Sequence, residues 1–492
     1  VTPSTYDVAI IGAGPVGSTL AALLAKRGLS VVVLERDVDI YPLPRAAHLD
    51  AETVRNLREI GAWSDAPGWS IANEGMDFVN GEGRLLLRMT SVDNPDHTTP
   101  QSNLFHQPSL DRLIRERAAE FGANFRLGHE VVSIDESSDR VHLTARTLEG
   151  HDVTVEASWL IGCCGARSFL RRHMGVGQID LSFDEPWLVV DVIVDDDHDA
   201  PTRAAQVCDP IRPHTIVPMP APRRRFEFML LPGETAEDVN RPEVIEQLMS
   251  PYLAPGRAVV ERSAVYTFHG LIAKEWRRGR LLLAGDAAHQ MPPFLGQGMC
   301  SGIRDAVNLA WKLAAVCRGA DESLLDTYQP ERSPHVQRIV ESAVGFGRII
   351  CTLDVQEAAG RDQMMIAARE ANPTDVGESP MPALSGSPLI EREAGYLVSD
   401  GRLDGRLFDE VLDGRWAVVV SDDDRLSAAN WDLLARLGAV IVSATDGTVG
   451  ARVLTNASSD VVVVRPDRIV FGKGRDALDA LASAADHYAL AG

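Results

Sequence analysis

The stretch that decides the fold is Tyr6-Asp7-Val8-Ala9-Ile10-Ile11-Gly12-Ala13-Gly14-Pro15-Val16-Gly17, followed by an Ala/Leu-rich segment and then Val31-Val32-Val33-Leu34-Glu35. A short apolar run, a glycine-rich turn, a helical pattern and a second apolar run form one βαβ unit. In Gly12-x-Gly14-x-x-Gly17 the first glycine permits the tight turn and the second lets backbone approach a pyrophosphate. The third lets the helix pack on the strand, and phosphates then sit at the helix N-terminus. Glu35 ends the second strand 23 residues beyond Gly12, where a carboxylate can accept hydrogen bonds from ribose hydroxyls. The three features together point to a dinucleotide.

Further along, Arg280-Leu281-Leu282-Leu283-Ala284 reads as another buried parallel strand. It leads through Gly285-Asp286-Ala287-Ala288-His289-Gln290-Met291-Pro292-Pro293-Phe294-Leu295-Gly296-Gln297 into a helix over about 298–317. Ile303, Val307, Ala310 and Ala314 share one apolar face of that helix. A strand thus ends in an acid, a proline pair stiffens the connection, and glycines open a helix whose free N–H groups favour negative charge. Residues 50–61 and 108–121 have helical spacing, and 131–155 alternate in short strands. Another buried strand, Trp159-Leu160-Ile161, runs into Gly162-Cys163-Cys164-Gly165. From about 183 to 268 longer strands alternate with Pro-rich turns, as in Trp187-Leu188-Val189-Val190 and Phe226-Glu227-Phe228-Met229-Leu230-Leu231. Residues 374–388, rich in Pro, Gly and Ser, read as a linker. Beyond about 402 a separate α/β pattern begins, with strands at 416–420, 440–443, 461–464 and 469–471.

The 492 residues carry 48 Lys+Arg against 70 Asp+Glu, a net charge of −22. That balance, with no sustained basic cluster, argues against a nucleic-acid groove or an anionic-membrane surface. No apolar run reaches the roughly 18 residues a bilayer span needs, and no signal-like segment opens the sequence, so the expected compartment is the cytoplasm. Six cysteines without CxxC spacing read as reduced thiols, and no metal site is expected.

Together with 304–313 (Arg-Asp-Ala-Val-Asn-Leu-Ala-Trp-Lys-Leu) and 325–332 (Leu-Asp-Thr-Tyr-Gln-Pro-Glu-Arg), these motifs resemble the class A flavoprotein monooxygenases of the para-hydroxybenzoate hydroxylase type. Within that class they are most similar to 3-(3-hydroxyphenyl)propanoate hydroxylases and aromatic polyketide hydroxylases. The resemblance spans residues 5–345. It implies an α/β protein: a Rossmann-like FAD-binding domain (1–180 and 271–395), an inserted substrate-binding β-sheet domain (181–270) and a thioredoxin-like C-terminal domain without CxxC (396–492).

The resemblance further implies that Gly12, Gly14, Gly17 and Glu35 hold the ADP half of FAD, with Arg36 near the adenosine and Arg45 near the pyrophosphate. Gln107 would contact the cofactor, and the backbone of Val131 the adenine. Asp286 would accept a hydrogen bond from a ribityl hydroxyl, and the Gly298 and Met299 amides would face the flavin pyrimidine edge. The Pro293 carbonyl would sit near C4a, where oxygen adds, and is the candidate catalytic group. The implied reaction uses NADH or NADPH and O2 to hydroxylate a phenolic aromatic through a flavin C4a-hydroperoxide. A polyketide-tailoring hydroxylase or Baeyer–Villiger oxygenase on a polycycle is the alternative, and a flavin-binding protein without turnover a weaker one. A homodimer is the family expectation.

One residue departs from the family pattern: Cys164-Gly165-Ala166-Arg167-Ser168 places a thiol where the family has an aspartate. Because one polar contact contributes only ~0.5–1.5 kcal/mol, the expectation is tolerated drift. His289 is expected to support its loop rather than act as a base, and Arg223-Arg224-Arg225 to form a solvated turn. Asp195-Asp196-Asp197 beside His198 reads as a charged turn. Tyr266, His269 and His214 are the candidates to help deprotonate a phenol.

Overall fold

The computed structural model describes residues 4–42, 45–64, 67–91, 98–195, 201–377 and 381–490. Pro44, Asp196, Asp197, His198 and, within the expected linker, residues 378–380 lie outside the described set.

The fold is α/β. Strand Ser4–Ile11 pairs in parallel with Val31–Glu35 on one side and with Asp152–Gly162 on the other. Asn124–Leu127 and Leu281–Leu283 extend the two flanks, also in parallel. Parallel strands covered on both faces read as unbroken apolar runs, and Val8, Ala9, Ile10, Val32 and Val33 are fully buried. Helix Pro15–Lys26 starts with a proline at its first turn and buries Leu20 to Ala25 against helices Gln107–Glu120 and Gly298–Cys317. A Cβ on Gly17 would meet the Gly12 carbonyl oxygen at 2.0 Å, so only glycine lets this helix seat on its strand.

The second sheet runs His289–Gln290, Ala258–Ala273, Gln178–Val194, Arg223–Met229, His214–Val217, Ala204–Cys208, Gly75–Asn80, Leu85–Thr90 and Val376–Gly377. Its two faces are chemically different. Leu188, Val190, Val192, Ile216, Phe226 and Phe228 pack beneath helix Pro242–Met249 through Ile245 and Met249. Between them in sequence, Val189, Thr215, Val217, Arg225 and Glu227 face the first sheet across a cavity. The arginine run is therefore not a solvated turn. It opens strand Arg223–Met229, Arg223 pairs with Glu261 at 2.9 Å, and Arg225 is buried. Asp195 pairs with Arg257 at 3.3 Å at the surface.

The C-terminal sheet has the order Val440–Ser443, Ala417–Val420, Val461–Val464, Val470–Lys473, its first pair parallel and the others antiparallel. Buried ions join it to the rest. Glu331 Oε2 lies 2.8 Å from both Lys312 Nζ and Arg465 Nη2, and Arg465 also meets Asp467 at 2.6 Å. Trp311 and Trp416 stack edge-on beside them at 5.8 Å. Each buried charge has a counter-ion, which desolvation requires. Among the described residues no helix is long and apolar enough to cross a membrane.

Candidate active site

Gly12 adopts φ +105°, and a Cβ there would lie 2.5 Å from the Cys163 carbonyl oxygen. The turn is thus closed against the neighbouring strand end, with Gly14 and Val16 bordering the cavity. Glu35 is held at the adjacent strand end, its Oε2 accepting from the Ala13 amide at 2.7 Å and its Oε1 from the Asp37 amide at 3.1 Å.

Opposite this turn, Gln107 Oε1 accepts from the amides of Arg45 (2.8 Å) and Ala46 (2.7 Å), and the Arg225 guanidinium donates to the Arg45 carbonyl at 2.8 Å. Gln107 Nε2 in turn donates to Asp111 at 3.1 Å, and burial pushes the Asp111 carboxyl up to about 6.

The segment after strand Leu281–Leu283 is braced from behind. Asp305 Oδ2 accepts from the Gly285 amide at 3.0 Å and meets His289 Nε2 at 2.7 Å, while its Oδ1 accepts from Arg332 at 2.8 Å. His289 therefore supports its loop. Asp286 stands in the open cavity but deep within the protein, and this burial raises its carboxyl, offset in part by His289 and Arg45.

Gly12, Gly14, Glu35, Arg36, Arg45, Gln107, Val131, Asp286, Pro293, Gly298 and Met299 all line one cavity of about 1230 Å³. Gly17 lies behind it, packing the helix. Helices Pro15–Lys26 and Gly298–Cys317 both begin at this cavity with no side-chain cap and no acid in the first turn. Their orphan N–H groups and dipoles leave two separate places for negative charge in one cavity. A dinucleotide flavin presents two such centres, its pyrophosphate and the pyrimidine edge of its reduced ring, so the residues present fit FAD.

Cys164 also lines the cavity, its Sγ 3.1 Å from Ser168 Oγ. The three candidates for phenol deprotonation separate. Tyr266 lines the cavity with its hydroxyl hydrogen-bonded to Arg262, and the guanidinium carbon lies 4.9 Å from its ring centre. Its hydroxyl is raised by burial, against the pull of Arg262. His269 lines the cavity paired with Asp184. His214 faces away: strand alternation turns it beneath helix Pro242–Met249, where its Nε2 meets the Tyr252 hydroxyl at 2.5 Å and burial lowers its basicity. Glu227, Thr215 and Arg262, which line the cavity wall, were not among the sequence candidates.

Residues 5–343 match the family described as FAD binding domain. A probable NADH-specific resorcinol 4-hydroxylase of Rhodococcus jostii (strain RHA1) is 41% identical over 496 residues, covering 96% of this chain and 93% of that protein. A 3-(3-hydroxy-phenyl)propionate/3-hydroxycinnamic acid hydroxylase of Mycobacterium sp. (strain JLS) is 37% identical, covering 90% of this chain and 82% of its own length. Among solved structures, aklavinone-11 hydroxylase with FAD and aklavinone superposes with a TM-score of 0.82 at 22% identity, over 99% of both chains. The p-nitrophenol 4-monooxygenase of Pseudomonas putida DLL-E4 gives a TM-score of 0.68 at 28% identity, over 74% of this chain and 94% of that one. With the uncapped helix pair, the glycine cradle and these relatives in agreement, the chain belongs to the FAD-binding family of flavoprotein aromatic hydroxylases.

Proposed function

We propose that this hydroxylase acts on a small phenol, of the resorcinol or 3-(3-hydroxyphenyl)propanoate kind, with NADH as reductant. The observation that carries the reading is the lining of the cavity. Phe268 and Phe294, edge to face at 6.1 Å, border the same cavity as the polar side chains of Thr215, Glu227 and Tyr266, a surface for a flat ring bearing a hydroxyl. The reductant follows from the resorcinol 4-hydroxylase relative.

In this reading the Gly14 and Val16 amides and the side chain of Arg45 hold the FAD pyrophosphate, and Glu35 holds the adenosine ribose. Arg36 and the Val131 backbone border the adenosine, Gln107 fixes the Arg45 segment, and Asp286 takes a ribityl hydroxyl. The Gly298 and Met299 amides face the pyrimidine edge, and the Pro293 carbonyl borders the reacting face. Bound FAD, once reduced, supplies the activated oxygen that enters the ring. The protein's part is to exclude water, hold the ring in place and help remove the phenolic proton.

Residues 1–180 with 271–395, 181–270 and 396–492 form the cofactor, substrate and terminal parts in this reading. The strand order of the last part, with one parallel and two antiparallel pairs, supports a thioredoxin-like fold. It contains no cysteine, so dithiol exchange is not its role. Six free thiols suit a reducing compartment, the cytoplasm.

The test is NADH and NADPH oxidation by the FAD-loaded protein with a panel of phenols, product mass being followed in parallel. Oxidation stimulated by resorcinol or 3-(3-hydroxyphenyl)propanoate, with gain of one oxygen, supports the proposal. A response confined to polycyclic phenols overturns it.

A further inference from the structure

The cavity lining carries a carboxylate, Glu227, that accepts no hydrogen bond among the described residues. Strand register sets Val189, Glu227 and Thr215 side by side across the large sheet, and all three line the cavity. The next row holds Asp191, Arg225 and Val217, with Arg262 paired across from Asp191. In that row Arg225 grips Asp191 with both ends of its fork, at 2.7 and 3.2 Å, and Arg262 reaches the same carboxylate at 3.3 Å. Asp191 is thus saturated by two guanidinium groups.

Glu227 is not. It is 7% exposed, and among the described residues it accepts no hydrogen bond; its ion-pair contact is Arg225 Nη1 at 3.8 Å. Its neighbour Thr215 spends its hydroxyl proton on Gln206 at 2.6 Å. Neither Glu227 oxygen is sealed off by protein; both open to the cavity, and a carboxylate so placed is positioned to take its donor from a ligand there.

We propose that Glu227 accepts the phenolic proton of the substrate, an inference that rests on the small-phenol reading above. The phenol O–H bond breaks, an O–H bond forms on the Glu227 carboxylate, and the electron pair stays on the phenolate, which thereby becomes a better nucleophile toward activated oxygen. Two guanidiniums and two carboxylates become two guanidiniums, one carboxylate, one phenolate and a neutral acid. The net charge of the buried cluster is unchanged, and no proton need come from solvent.

The electrostatics agree with this geometry. Burial raises the Glu227 carboxyl, Arg225 lowers it, Asp191 raises it and Arg262 lowers it, with a net rise. The groups facing it are Asp191 from strand Gln178–Val194, Arg225 from its own strand, and Arg262 and Tyr266 from strand Ala258–Ala273. Strand His214–Val217 presents the uncharged Thr215. Tyr266, its hydroxyl raised above the ordinary tyrosine range, remains neutral and serves as a partner, not a base.

The experiment uses FAD-loaded wild type, Glu227→Gln and Glu227→Asp, with resorcinol as probe. Ultraviolet difference spectra of resorcinol bound to the oxidised enzyme read phenolate directly, and kcat is measured against pH. The wild type is expected to show a phenolate band at neutral pH. Glu227→Gln should still bind resorcinol, lose the band, and lose about 100-fold or more in kcat, with activity recovering as pH rises toward the phenol's own ionisation. Glu227→Asp, which keeps a carboxylate, should retain part of the band and of the rate. A Glu227→Gln enzyme with the wild-type band and pH profile overturns the inference while leaving the small-phenol reading intact. A wild type that shows no phenolate band also overturns it. A wild type that hydroxylates only polycycles removes both.

Discussion

Gln107 and Arg45, far apart in sequence, meet through a single atom: Gln107 Oε1 accepts both the Arg45 amide at 2.8 Å and the Ala46 amide at 2.7 Å. That oxygen fixes the segment carrying Arg45 into the cavity without touching the Arg45 side chain. Gln107→Leu leaves two amides without a partner, at a cost of about 1–3 kcal/mol for each that stays buried. The expected outcome is FAD affinity weaker by about 10- to 100-fold, read as the flavin fluorescence released on dilution. FAD retention equal to wild type would show that the Arg45 segment is held by other contacts.

Behind Gln107, Asp111 presents an unusual balance. Burial raises its carboxyl to about 6, with Gln107, Arg115 and Arg45 only partly offsetting it. A folded-state value above the unfolded one means that this group stabilises the fold at low pH, and that the contribution is lost as pH rises through about 6. Asp111→Asn removes the ionisation and keeps an acceptor for Gln107 Nε2. The variant should be more stable than wild type near pH 7.5, by up to about 3 kcal/mol, with the gap narrowing near pH 4. Urea unfolding at the two pH values measures this, and a gap independent of pH would remove Asp111 ionisation as its cause.

How far the sequence could be read depended on whether the contacts were local. Gly12 to Glu35 and Gly285 to Met299 are contiguous, so each motif was legible by itself; that both serve one site came from the family resemblance, and the structure brings residues of both around one cavity. The parallel pairing of Gly75–Asn80 with Ala204–Cys208 joins segments too distant for periodicity to connect. His214 and Thr215 show a subtler limit. Alternation says that they face opposite ways, but only the covering helix Pro242–Met249 decides that His214 is hidden and Thr215 faces the cavity. The Phe226-Glu227-Phe228 run carries the same ambiguity: periodicity marks a strand, but only the cavity shows which face Glu227 takes.

Cys164, the departure from the family pattern, lines the cavity and meets Ser168 at 3.1 Å. A thiol hydrogen bond of this kind contributes little, and in the proposed reading the cofactor is held by backbone amides, Glu35, Arg45 and Asp286. Cys164→Ala is therefore expected to change FAD affinity by less than the roughly tenfold that about 1.4 kcal/mol represents. Titration of apoprotein with FAD measures it. A larger loss would make the thiol a principal cofactor contact and reverse the reading of Cys164 as tolerated drift.

The pairing of Asp50 with Arg304 ties the entrance of the Gly298–Cys317 helix to helix Ala51–Glu59. Arg304 holds Asp50, reaches Glu52 at 2.7 Å and donates to Gln297 at 3.0 Å, the residue that immediately precedes the cavity-facing helix turn. Burial alone would raise the Asp50 carboxyl, but Arg304 and the Thr53 amide, 2.8 Å away, outweigh it and draw it down to about 2. A folded-state value below the unfolded one means stability that is present above about pH 4 and lost as pH falls toward 2, amounting to about 2.5 kcal/mol. Asp50→Asn should destabilise the protein near neutral pH by about 1.5–3 kcal/mol, because Arg304 keeps Glu52 but loses its more deeply buried carboxylate, and should flatten the acid limb of the stability profile. Because Gln297 is held by the same guanidinium, FAD release should track this loss. Parallel tryptophan and flavin fluorescence during acid titration tests the coupling: coincident transitions in wild type and a shared shift in the variant are expected. Flavin release unaffected by the substitution would separate the Asp50–Arg304 pair from the cofactor-facing helix.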